Sequence, residues 1–414
     1  MYESPEALQT RVAAYARAYA ADFRRRDQAR WLEIYLHGLL TAAGRKTVET
    51  LIRHAQRPDD LAVGDPAQAL QNFINQSPWD EQKVLRRCRQ HLARQLGSPT
   101  GIYVIHDIGF PKQGQRSVGV LRQYCPELRR KLNCQVAVAV SYIGPAGVCP
   151  LGLQLYLPRP WLSDAGRLRA AGAPLEQCSG SAKAQIALAM LRAIRADGVP
   201  GSLVLAGGNY GTSSELRRWL EEQGLCYLLG VGEDQIVLRA DGTLPGGYFT
   251  STSAGAQPSS IRELARRLPP AASDVPSHPG GLRCVAGAVW PDLKHDGSPV
   301  PGSCPVRLFA QDDGHGYSGG AFGKLLEDTS CAEAARLWGE RQQADTLYGR
   351  LRQELGLDHF EGRSWRGFHH HAALVIAAYG FLVNPALPTE RPNRSAAIDG
   401  FGGKRLAVHS SLSH

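Results

Sequence analysis

No two cysteines in this chain are spaced Cys-x-x-Cys, although nine are present. That absence removes the zinc-ribbon class, and an odd count gives no support to a disulfide framework. Reduced thiols in a cytoplasmic protein are the expectation. No run of about 18 apolar residues occurs, and the polar, helix-prone start lacks the apolar centre of a signal segment. A membrane-spanning or exported chain is therefore not expected. Internal repeats are absent too. Negative charge is in the minority: Lys and Arg number 47 against 38 Asp and Glu, a formal net charge of +9. The arginines are spread along the chain rather than held in one tail, which favours a polyanionic partner.

What is present falls into blocks. At 414 residues the chain is long enough for two or three domains. Residues 1–97 read as helical, with Trp31 to Leu40 apolar at helical spacing and Asp65-Pro66 a helix-start signal. From Gly101 the pattern changes. Ile102 to Ile105 is β-branched or aromatic and reads as a short buried strand, ending near Asp107 where Gly109, Pro111 and Gly114 follow. Two further strands are expected around Cys134 to Tyr142 and Gly147 to Leu157, joined by a Gly-Pro turn. Then come a helix over 181–196, a strand over 202–206, a helix over 213–223 capped by Ser214, and a strand over 227–231.

Three antiparallel strands followed by helix-strand-helix-strand is the order of a ribonuclease-H-like α/β fold, a mixed five-stranded sheet flanked by helices. The division this suggests is a helical domain over 1–97, the first part of the core over 98–233, a β-rich insertion over 234–328, a helical second part over 329–385 and a disordered tail over 386–414. Within the insertion a Pro/Ser/Ala stretch over 251–280 is expected to be mobile. Helices are expected at 331–355 and 365–382.

A carboxylate at the tip of a central strand, opening into a Gly/Pro loop, is placed to hold a cation beside a phosphate; the alternative is an Asp capping a turn. Ribonuclease-H-like nucleases need three carboxylates, from the first strand, the fourth strand and a later helix. These hold two divalent ions about 3.5–4 Å apart, for which magnesium is suited.

Several stretches resemble one group of such enzymes. They include Ser77-Pro-Trp-Asp, Gly109-Phe-Pro-Lys-Gln-Gly, Arg122-Gln-Tyr-Cys, Asn133-Cys-Gln-Val-Ala-Val and the run from Glu354 to His371. Occurring in order over roughly residues 30–385, they resemble the bacterial insertion-sequence DDE transposases of the 701 family. The resemblance implies metal-dependent DNA strand cleavage and transfer, with Mg2+ or Mn2+ as cofactor. Its implied partner is double-stranded DNA at the transposon ends, bound through the helical N-terminal region, and it leaves a homodimer open.

Carried over residue by residue, Asp107 matches the first acid. The family has Asp-Asp-Thr-Gly-Phe where this chain has His106-Asp107-Ile108-Gly109-Phe110. The second acid belongs to a Leu-Ala-Asp-x-x-Tyr-Gly stretch, here Leu205-Ala-Gly-Gly-Asn-Tyr-Gly211, so Gly207 stands in its place. Asp345 matches the third, with Tyr348 and Arg352 following where the family has Tyr and Lys. Catalytic and metal-binding roles are thus expected of Asp107 and Asp345, with weak or no cleavage because a two-metal site lacks its second carboxylate. The alternative is a domesticated, non-catalytic DNA-binding regulator. Asn209, Glu233 and Asp234 are weaker substitutes for the missing acid, and Glu354, nine residues on, competes with Asp345 as the helix acid. Lys112, Arg122, Tyr348, Arg352 and Arg363 are candidate DNA contacts, solvated surface being the alternative for Lys112, Arg122 and Arg363. His369-His370-His371 resembles a metal tract, but consecutive helical residues point about 100° apart, so packing is the favoured role. Trp365 is either core or a platform for an exposed base.

Overall fold

The structure, a computed structural model, describes residues 4–55, 64–174, 182–240, 257–267, 282–312 and 317–383. Its N-terminal part is helical: α1 (Pro5–Arg17), α2 (Arg26–Thr41), α3 (Val48–His54), α4 (Pro66–Asn75) and α5 (Glu81–Leu96). Ser4, Thr47, Asp65 and Asp80 each accept a backbone N–H of the following first turn, which satisfies donors the helix leaves free.

The sheet begins with β1 (Ile102–Pro111), β2 (Leu121–Cys125), β3 (Arg130–Gly144) and β4 (Gly147–Tyr156). Short helices α6 (Arg159–Leu162) and α7 (Ala165–Ala170) follow, then α8 (Lys183–Ala196), β5 (Leu203–Ala206), α9 (Ser214–Glu222) and β6 (Cys226–Val231). β3 is antiparallel to both β1 and β4, whereas β1, β5 and β6 are mutually parallel. The resulting order β4-β3-β1-β5-β6 is a mixed sheet flanked by helices, compatible with the ribonuclease-H-like arrangement.

Five details differ from expectation. β1 does not end near Asp107: β3 is fifteen residues long and pairs with it as far as Pro111↔Cys134. The parallel pairing to β5 stops at Ile105↔Ala206, so Asp107 lies beyond β5 but inside the antiparallel ladder. Ser213, not Ser214, caps α9 by accepting from the Leu216 N–H.

The third difference concerns the insertion, which comprises β7 (Ile236–Arg239), β8 (Ser259–Ser260), α10 (Ile261–Arg267), β9 (Leu282–Trp290), β10 (Val306–Asp312) and β11 (Tyr317–Lys324). β11 pairs antiparallel with β6, and β10, β9 and β7 continue outward, so among the described residues the sheet has eleven strands rather than five. The insertion thereby covers the β6 edge, whose free N–H and C=O groups would otherwise be a pairing template. Of the stretch expected to be mobile, only 257–267 falls within the described residues, and the expected disordered tail falls outside them.

The helix expected over 331–355 is two, α11 (Cys331–Gly339) and α12 (Gln342–Leu355), and the last is α13 (Trp365–Leu382). Cys331 is disulfide-bonded, against the expectation of reduced thiols throughout. α13 packs on α2, α4, α5 and β4. One apolar cluster runs from Val12 and Tyr15 through the sheet to Phe381, so the helical region and the sheet share a core. Arg89 on α5 clamps Asp197 beyond α8 at 2.7 Å, with side chains only 5% and 9% exposed. Among the described residues no helix is long and apolar enough to cross a membrane.

Candidate active site

Side chains alternate across a strand, so His106 and Asp107 face opposite sides of β1. The unbroken β1–β3 register, His106↔Ala139 and Asp107↔Val138, holds them there. On the side covered by α11 and α12, His106 Nε2 is 3.2 Å from Ser141 Oγ, and its ring meets Tyr348 edge-on at 4.6 Å. Its Nδ1 lies 3.8 Å from Asp345 Oδ1. On the side covered by α8, Asp107 accepts hydrogen bonds from Lys183 Nζ at 2.6 Å and Tyr210 Oη at 2.7 Å.

The position that faces Asp345 is therefore His106. Asp107, expected to share a metal with Asp345, instead holds an ammonium and a phenol. The Tyr210 hydroxyl is held protonated: burial and the neighbouring Asp107 carboxylate both push its pKa well above the ordinary value.

Gly207 follows β5 on the same side as Leu205, which clusters with Val104, Trp338 and Ala344 against α11 and α12. A Cβ at Gly207 would lie 2.9 Å from Arg341 Nη1. Arg341 sits at the break between α11 and α12, donates from Nε to the Trp338 carbonyl at 3.0 Å, and lies 3.4 Å over the Trp338 ring. Burial draws its pKa down to about 10, partly offset by Asp345 four residues on. The space a second carboxylate would enter thus holds a guanidinium, and the Asp345 side chain is 79% exposed.

The alternative carboxylates are paired elsewhere. Glu233 and Asp234 are both paired with Arg262 of the insertion, and Glu354 pairs with Arg350 at 2.9 Å on the surface of α12. Among the described residues no group of three or more His, Cys, Asp or Glu could hold a metal ion. Magnesium takes oxygen ligands, and the α12 side supplies one carboxylate, one imidazole and a cation. A divalent ion about 4 Å from a guanidinium is repelled by roughly 8 kcal/mol at an effective dielectric constant of about 20. These residues do not fit a two-metal site.

The other candidates divide by accessibility. Arg352 is engaged by Glu127 at 2.6 Å and the Gly109 carbonyl at 2.8 Å. Tyr348 is 3% exposed beneath His106, and Lys112 Nζ donates to the Phe360 carbonyl at 3.1 Å. Arg122 and Arg363 are exposed. Trp365 is core, tilted against His369 at 4.2 Å. The three histidines are core as well. His369 donates to the Trp365 carbonyl and accepts from the Leu155 N–H, while His371 bonds Tyr35 and the Gly356 carbonyl. Both His370 nitrogens face carbonyls, of Ile74 and Trp79. No ring nitrogen of the tract is left for a metal.

Sequence reasoning missed Lys183 and Arg341. Neither belongs to a motif; each matters only through what the fold places beside it. His106 carried a signal, the altered residue before Asp107, whose meaning depended on which face of β1 turned toward α12.

The DDE superfamily endonuclease family model matches residues 18–271. A relative named "probable transposase for insertion sequence element IS701", from Microchaete diplosiphon, is 30% identical over 208 residues. That match covers 49% of each chain, so this protein spans about half the length of the curated relative it matches.

Proposed function

Since this chain belongs to the DDE superfamily endonucleases, we propose that it is a DNA-binding protein of the insertion-sequence transposase kind whose cleavage site no longer works. In this reading the core has the ribonuclease-H-like fold and the helical region over 1–97 engages DNA. Enzymes of the superfamily generally use divalent metals to activate attacking and leaving oxygens. The observation that carries the inactive reading is the residue set on the α12 side: His106, Gly207 backed by Arg341, and Asp345. Two of the three positions cannot donate a carboxylate oxygen, and a resident cation replaces the negative charge a metal needs. What the residues support is polyanion binding, in keeping with the net charge of +9.

The test pairs two assays on the full chain. Supercoiled plasmid incubated with Mg2+ or Mn2+ is expected to stay uncut. Duplex DNA is expected to shift on a gel equally with and without EDTA, more weakly as salt rises. Metal-dependent nicking that disappears in Asp345→Ala overturns the inactive reading, and absence of any duplex binding overturns the DNA-binding one.

A further inference from the structure

We propose that the groove between α4 and the Gln115–Arg116 loop seats one strand of a DNA duplex, with α4 reading bases in the major groove. This rests on the DNA-binding function proposed above and adds where, and by which side chains, sequence is read.

The helix carries the first observation. α4 buries Leu70, Phe73 and Ile74 and exposes Gln68, Gln71 and Asn72, with Asn75 half-buried beside Ser364. Their spacing of i, i+3, i+4 and i+7 makes one stripe of amides. No charge interrupts it. Carboxamides are both donor and acceptor and pair with the two groups adenine presents in the major groove, into which an α-helix fits.

The facing wall supplies the second. Arg116 and Arg363 are exposed, and their side chains make no ion pair or hydrogen bond among the described residues. With the amides they line a cavity of about 710 Å³. Through Gln115, Arg116 and Arg363 it continues into a second of about 850 Å³ that reaches Lys112. Glu361, the acid the two cavities share, is paired with Arg45 at 2.9 Å. The loop is held in place: Arg167 stacks 3.7 Å over Trp161 and donates to the Gln115 carbonyl at 2.8 Å. Cations on one wall and amides on the other match a phosphodiester strand with base edges behind it.

The experiment is fluorescence anisotropy and selection from a random-sequence duplex library, using the full chain. Arg116→Ala and Arg363→Ala are each expected to weaken binding about 3- to 10-fold across all sequences and to lower the salt slope by about one. Gln71→Ala and Asn72→Ala should keep general affinity but lose base preference, by roughly 5- to 150-fold at the positions they read. All four residues are at the surface, and circular dichroism checks that the fold is kept. Duplex binding and selection unchanged in all four variants sink the groove and leave the DNA-binding function standing. Preference for a single-stranded library sinks it as well, and a wild-type chain that binds no DNA sinks both.

Discussion

Restoring the missing acid should not restore a metal site. Gly207 lies outside the left-handed region of backbone space, so an aspartate there is not strained. The added Cβ would stand 2.9 Å from Arg341 Nη1, the far end of a flexible side chain that can move a few tenths of an ångström. The new carboxylate would then meet the guanidinium before any ion did. A charge-assisted hydrogen bond is worth about 1.5–3 kcal/mol, less the cost of desolvating the carboxylate, so Gly207→Asp should gain roughly 1–2 kcal/mol. In a chain of this size that raises Tm by about 1–2 °C. The assay is a thermal melt together with calorimetric titration of Mg2+ and Mn2+. The expected result is a higher Tm, unchanged by metal, and no binding isotherm. A metal site should require His106→Asp and Arg341→Ala in addition. Stoichiometric Mg2+ binding to the single variant would refute the claim that Arg341 owns this space.

Two more outcomes follow from the geometry. Lys183→Met leaves the Asp107 carboxylate with Tyr210 alone; both ionic side chains are partly exposed, at 33% and 23%, so denaturant unfolding should report a loss of about 1–3 kcal/mol rather than the larger cost of a buried pair, and an unchanged midpoint would count against it. His369 and His371 are buried neutral, with pKa values lowered to about 4 by desolvation. Their unfolded value is near 6.5, so the unfolded chain binds more protons between pH 6.5 and 4. Their contribution is therefore complete above pH 6.5 and is lost as pH falls toward 4, by up to about 1.4 kcal/mol per pH unit for each histidine. Chemical denaturation across that range should show the decline, and His371→Gln should make it shallower.

Local sequence governed what local forces govern. The β-branched run at Ile102 to Ile105, the Asp65-Pro66 start and the apolar pattern of residues 365–382 placed β1, α4 and α13, because propensity and capping act over a few residues. The departure at Gly207 was likewise legible, since a missing side chain is missing in any fold. The outcome at the site was decided elsewhere. β3 extended β1 past Asp107 and fixed its pleat, so a difference of one residue sent His106 toward Asp345 and Asp107 toward Lys183. The break between α11 and α12 delivered Arg341 beside Gly207, from 134 positions away along the chain. Which face a strand turns inward, and which charge comes to rest in a vacated space, depend on long-range pairing and packing. Only the tertiary structure carries that information.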